Sequence, residues 1–157
     1  MESCLPPTRR ELRHALAKGQ NQGWKRPFSE VLADLHKPVP DDYLSWKSLK
    51  GERIIYLEWH ICNQILDYIT PGWQIEIREN QISNRAVVTA KLSLLCDEGI
   101  FSRESTGSDD VDDEFFGGFM PDAESQAMRR AAARFGLGLY LYDKGVINSL
   151  KKRIFKT

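Results

Sequence analysis

The chain has 157 residues, 41% hydrophobic and 28% charged, with 22 lysines and arginines set against 22 aspartates and glutamates. That balance excludes a disordered polyelectrolyte, and a formal charge of zero excludes a uniformly basic nucleic-acid coat. A chain of this length buries about 68–70% of its unfolded surface, enough for one ordinary domain without staples.

Pro6-Pro7-Thr8-Arg9-Arg10-Glu11 opens the chain with a capping-box pattern, so residues 8–18 are expected to form a short basic helix. Gly19-Gln20-Asn21-Gln22-Gly23 follows as a linker, making residues 1–26 an appendage to a core of residues 27–157. Residues 29–36 carry a second helical pattern, stopped by Pro38 and Pro40. Residues 43–57 read as strand, turn, strand around Lys50-Gly51. Leu57, Ile61, Ile65 and Ile69 then fall at helical spacing before Pro71-Gly72.

Three strand-like runs follow at residues 73–78, 85–95 and 100–105, with Asp97-Glu98-Gly99 turning between the last two. Period two puts Ala90, Leu92 and Leu94 on one face. Residues 107–118 are acidic and glycine-bounded and are expected to be a mobile loop. After Pro121, with Asp122 as its cap, comes the strongest helical pattern. It gathers Ala127, Met128, Ala131, Ala132 and Phe135 on one side and places Arg130 and Arg134 on the other. An apolar link and a basic, helical end over residues 144–156 complete the chain. The expected fold class is α+β, an antiparallel β-meander with a core helix packed across it, β-β-β-α.

Neutrality conceals a block arrangement. Residues 1–26 hold six bases against two acids, residues 108–128 hold seven acids and no base, and residues 129–157 hold eight bases against one acid. Blocks of this kind generate local fields that a total of zero does not cancel. The basic end carries Arg129, Arg130, Arg134, Lys144, Lys151, Lys152, Arg153 and Lys156. Guanidinium groups match phosphate oxygens bidentately, so this end is a candidate phosphate-binding strip, with a merely solvated helix face as the plain alternative. Arg9, Arg10, Arg13, His60 and Arg103 are secondary candidates.

The acidic run fails as a calcium loop, because Phe115 and Pro121 stand where glycine and glutamate are needed. As a two-metal nuclease site, residues 109–114 would put carboxylates on a flexible loop, so that reading stands as an alternative only. His60 and Cys62 point to different sides of a helix and form no nucleophilic pair. Cys4, Cys62 and Cys96 suggest neither a disulfide framework nor a metal knuckle, and Cys62 is expected to be a core thiol. No Walker loop, signal peptide or membrane-length apolar run is present, so a soluble, cytoplasmic protein without a cofactor or metal is expected.

Several segments in order carry a resemblance. They are Tyr56-Leu57-Glu58, Pro71-Gly72-Trp73, Val87-Val88-Thr89-Ala90, Glu104-Ser105-Thr106-Gly107, the run from Ala127 through Arg129-Arg130 to Arg134-Phe135-Gly136, and Tyr140-Leu141-Tyr142-Asp143-Lys144. Together they resemble the Rad52/Rad22 family of single-strand annealing and recombination-mediator proteins, particularly its short bacterial and phage members, over about three quarters of the chain. The resemblance implies a β-β-β-α protomer that assembles into a ring or open helical filament. It also implies a groove holding single-stranded DNA by its backbone, ATP-independent annealing in repair and recombination, and no enzymatic turnover. The family's adjacent basic pair falls on Arg129 and Arg130, and a second basic stretch on Lys144 and residues 151–153. The family's next basic position is Ala133 here, with Arg134 beside it, and an arginine of eukaryotic members in the 57–69 helix is replaced by His60-Ile61. Implied partners are single-stranded DNA, with duplex DNA or RNA as variants, further copies of the chain, and a recombinase or single-strand-binding protein. A noncatalytic interaction module of a repair complex is the remaining alternative.

Overall fold

In the computed structural model, residues 25–110 and 121–156 are described. The expected N-terminal helix, its linker, and Arg9, Arg10 and Arg13 lie outside the described residues, as do residues 111–120.

Hydrophobic alternation builds the main sheet. Strands β3 (Gln74–Ile82), β4 (Arg85–Cys96) and β5 (Gly99–Asp110) form an antiparallel meander with β4 in the centre. Along β4, Val88, Ala90, Leu92, Leu94 and Cys96 are buried on one face, the face that Ile75, Ile77 and Phe101 extend from the flanking strands. The opposite face is polar, with Glu76, Lys91 and Glu104 in cross-strand register and Arg78 bonded to Glu104 at 2.7 Å. A second, two-stranded sheet precedes it: β1 (Leu44–Leu49) and β2 (Glu52–Leu57) pair through a turn at Lys50 and Gly51. Both turn residues have positive φ, 51° and 81°, the two-residue hairpin geometry that matches strand twist.

Four helices are described: α1 (Phe28–Leu35), α2 (Trp59–Ile69), α3 (Pro121–Arg134) and α4 (Lys144–Phe155). Helix α3 lies across β4 and β5 on the apolar face, and its Ala123, Ala127, Met128, Ala131, Ala132 and Ala133 are all buried. Small side chains let helix and sheet approach, and Gly107 on β5 sets the limit. A Cβ there would overlap the Ala123 carbonyl oxygen and stand 2.8 Å from the Ala127 nitrogen. Helix α3 ends in a Schellman motif, the Leu137 N–H donating to the Ala132 carbonyl (3.2 Å) and the Gly136 N–H to the Ala133 carbonyl (2.9 Å). Gly136, at φ 109°, also passes against the His36 ring, leaving no room for a side chain.

Helix α1 closes one end of the core. Phe28 stacks on Phe101 at 3.9 Å and meets the Phe135 ring edge-on. The Arg26 side chain donates to the Ile69 carbonyl at the end of α2 (3.3 Å) and pairs with Asp34, while its carbonyl accepts from the Asp97 N–H (3.0 Å). Arg26, the last residue of the expected appendage, is thus tied to the core.

Strand β3 runs to Ile82, beyond the expected end at residue 78, and three further boundaries move. Leu57 is the last residue of β2, with its side chain buried, and α2 starts only at Trp59. The i+4 spacing from Leu57 to Ile61 therefore bridges two elements that bury into the same core. Strand β5 runs to Asp110, so the first residues of the expected acidic loop are strand: Ser108, Asp109 and Asp110 pair with Val87, Ala86 and Arg85. Pro121 is the first residue of α3, where its missing N–H costs nothing, and Asp122 lies inside the first turn rather than at the cap. There its negative charge faces the positive end of the helix dipole.

Candidate nucleic-acid interface

Adjacent helical residues diverge by about 100°, so Arg129 and Arg130 leave α3 in different directions. Arg129 reaches toward the β1–β2 hairpin, and its guanidinium carbon lies 5.1 Å from the centre of the Tyr56 ring. The Lys47 ammonium approaches the same ring at 5.4 Å. Two cations therefore share one aromatic ring, and among the described residues neither has a carboxylate within ion-pair distance. Lys47, Ile54, Tyr56, Arg129, Leu141 and Tyr142 line an open cavity of about 250 Å³ between hairpin, core helix and the 3-10 turn Leu139–Tyr142.

The electrostatics of this cavity follow from its cations. Burial and the hydrogen bond to Glu58 (3.0 Å) push the Tyr56 hydroxyl above the usual phenol range, with Arg129 opposing. Tyr142 is largely exposed, and partial loss of hydration raises its hydroxyl, opposed by Arg129 and Arg130. Beneath them Cys62 is buried, and loss of hydration pushes its thiol up to about 12, so it is an inert core group. Both tyrosines stay neutral at physiological pH, so neither phenol offsets the arginine charge.

The other candidate cations separate into free and engaged groups. Arg130 spends one N–H on the Thr106 carbonyl at 2.8 Å and remains exposed. Arg134 is exposed and has no ion pair among the described residues. Arg103 is engaged. It donates to the Arg134 carbonyl at the end of α3 and lies 4.7 Å over the Phe135 ring, which makes it a helix-terminating group. Arg153 is also engaged, in a two-pronged pair with Asp41 at 2.7 Å for each contact, and that carboxylate raises its pKa. The pair, with the Tyr140 hydroxyl accepting from the Val39 N–H (3.1 Å), straps residues 39–41 across the C-terminal elements.

Lys144 starts α4, whose first turn is capped by the Asp143 carboxylate (Val146 N–H, 3.0 Å), and Lys151 and Lys152 line its last turns. His60 is exposed on α2 with its ring edge-on to Trp59.

Of the acidic run, Asp109 and Asp110 belong to β5, and Asp110 sits 3.5 Å from Arg85. Among the described residues no three histidine, cysteine or acidic side chains gather around a point where a metal could bind. Asp112, Asp113 and Glu114 lie outside the described residues.

Lys47 and Tyr56 escaped the sequence reading. Their signal was present in the hairpin: a two-residue turn at Lys50-Gly51 forces Ser45 opposite Tyr56 and Lys47 opposite Ile54. Lys47 and Tyr56 are then diagonal neighbours on one face, within reach of a long side chain.

An antiparallel meander backed by a small-residue helix, with that helix directing Arg129 toward the β1–β2 hairpin and Arg130 toward β5, defines an α+β protein of the β-β-β-α kind. The chain belongs to the Rad52/Rad22 family: residues 27–154 match the family described as Rad52/22 family double-strand break repair protein. It is 39% identical over 128 residues to the Arabidopsis thaliana DNA repair RAD52-like protein 1, mitochondrial, a match covering 80% of this chain and 73% of that protein. It is 36% identical over 124 residues to the Arabidopsis thaliana DNA repair RAD52-like protein 2, chloroplastic, covering 76% of this chain and 62% of that one. The sequence resemblance points toward short bacterial and phage members, whereas these two relatives are plant organellar proteins.

Proposed function

We propose that this chain binds single-stranded DNA by its phosphates and promotes annealing of complementary strands without ATP, acting as a homo-oligomer in repair and recombination. The observation that carries the reading is the Arg129–Tyr56–Lys47 arrangement: two cations on one ring, beside an open cavity, with no carboxylate of the described residues within ion-pair distance and the nearby Glu58 carboxylate bonded to the Tyr56 hydroxyl. Cations without a direct ion-pair partner, held in place by an aromatic spacer, attract an anionic chain, and phosphate binding releases its condensed counterions. Exposed Arg130 and Arg134 on the same helix lengthen the track toward β5, and Lys144, Lys151 and Lys152 extend it on α4.

Contacts of this kind leave base edges available for pairing. Annealing then needs only a raised local concentration and a pre-ordered backbone, and side-by-side protomers multiply weak contacts along the strand. No covalent step is required of any residue. Because the contacts address the backbone, RNA and duplex DNA are natural competitors to test. A recombinase or a single-strand-binding protein is the natural class of protein partner.

The test is a fluorescence assay in which two complementary labelled strands are mixed with the purified chain and no nucleotide. Annealing faster than the protein-free rate, unchanged by ATP or by chelation of divalent metal, is expected. No acceleration contradicts the proposal. Strand cleavage that needs magnesium or manganese would replace it with the nuclease alternative.

A further inference from the structure

The β1–β2 hairpin has two faces, and the Lys47–Tyr56 pair that meets Arg129 lies on one of them. Register puts Ser45, Lys47, Ile54 and Tyr56 on that face and Trp46, Ser48, Arg53 and Ile55 on the other. On the second face Trp46 is 53% exposed, far more than a tryptophan kept only for packing. It is not loosely held. The Phe155 ring from the end of α4 meets it edge-on at 5.3 Å, and the Arg53 guanidinium carbon lies 5.5 Å from the Trp46 ring centre and 4.4 Å from that of Phe155.

Arg53 has no ion pair among the described residues, so its hydrogen-bond donors are unspent while two rings fix its position. Lys151 and Lys152 precede Phe155 by four and three residues, which brings them to the same side of α4. Lys50 stands at the hairpin turn. The nearby carboxylate of Asp41 is occupied by Arg153.

We infer that the Trp46–Arg53–Phe155 cluster is a base-stacking subsite for single-stranded nucleic acid, on the hairpin face opposite Lys47 and Tyr56 and sharing Lys151 and Lys152 with the phosphate track. The inference rests on the phosphate-binding reading above and adds a contact to the bases. A flat, half-exposed indole takes the π-face of any base, and the adjacent unpaired guanidinium and lysines take the flanking phosphates. The cationic rim also repels a second copy of itself, which favours a polyanion over a like patch of another protomer.

The experiment measures binding of the full chain to a fluorescent oligothymidine and to an abasic strand with the same number of phosphates. The wild-type chain is expected to prefer the base-bearing strand. W46A is expected to lose about 5- to 150-fold on oligothymidine, the range of one base–aromatic stack, and little on the abasic strand. W46F keeps most of the preference. R129A weakens both probes alike, since it removes a phosphate contact. Equal wild-type affinity for both probes, or equal loss on both with W46A, overturns the subsite and leaves the phosphate reading standing. Failure of the wild type to bind either probe overturns the phosphate reading itself. A W46A chain that keeps the base preference but changes mass in light scattering reassigns the cluster to contacts between copies. Should W46A melt early, N-bromosuccinimide oxidation of the wild type with peptide mapping reads the same contact. Oligothymidine then protects Trp46 more than the abasic strand does, and equal reactivity with and without oligothymidine overturns the subsite.

Discussion

Replacing Gly107 by alanine puts the helix–sheet packing under direct strain. The added Cβ would overlap the Ala123 carbonyl oxygen and come within 2.8 Å of the Ala127 nitrogen and 2.9 Å of the Gln126 Cβ. Two of these obstacles are backbone, so no rotamer change relieves the contact, and α3 must shift away from β5. Overpacking of a well-filled core costs about 1–3 kcal/mol, and rigid backbone obstacles place G107A at the upper end. For a chain of this size each kcal/mol moves the midpoint by roughly 2–4 °C, so a fall of about 6–12 °C is expected in a thermal melt followed by circular dichroism. Because α3 carries Arg129, the shift also disturbs its placement over Tyr56, and DNA binding should weaken at temperatures where the variant is still folded. A G107A chain with the wild-type midpoint would refute the close approach of β5 and α3.

Asp41→Asn frees Arg153 from its two-pronged pair, adding an unpaired cation to the C-terminal end. Single-strand affinity is expected to rise at low salt, the gain fading as salt screens it; unchanged affinity at every salt would remove Arg153 from the DNA path. The buried thiol of Cys62, raised to about 12, favours folding while both states keep the proton. Its contribution is complete below about pH 9, the ordinary thiol value, and is lost as the pH rises from there toward 12. A Cys62→Ala chain should accordingly show a shallower alkaline decline in stability than the wild type, and an equal slope contradicts the assignment. Light scattering at micromolar concentration should give a mass that is a multiple of the 18.0 kDa protomer, and a monomer would count against assembly.

Local pattern was a good guide wherever one residue's burial depends on its own strand or helix. Ala90, Leu92 and Leu94 share a buried face because a strand alternates, and the face from Ala127 to Phe135 is buried because a helix repeats. Boundaries were harder. Leu57 and Ile61 both turn inward, one from a strand and one from a helix, and a four-residue spacing cannot distinguish that from a single helix. Ser108-Asp109-Asp110 is polar and carries two charges, yet it extends β5 because β4 offers partners as far as Arg85.

Roles that depend on long-range neighbours were invisible. Arg103 and Arg153 look like free cations in the sequence, but the first ends α3 and the second pairs with a residue 112 positions away. Trp46 and Arg53 acquire their relation only when the hairpin closes and the end of α4 packs against it.

The central claim is that Arg129 and Arg130 each neutralise a phosphate of a single strand. It is tested most directly by the salt dependence of oligothymidine binding for the wild type and the R129A/R130A double variant. The claim predicts a log–log slope shallower by about 0.7 for each lost contact, about 1.4 in all, with affinity reduced across the salt range. A double variant with the wild-type slope and affinity would contradict it.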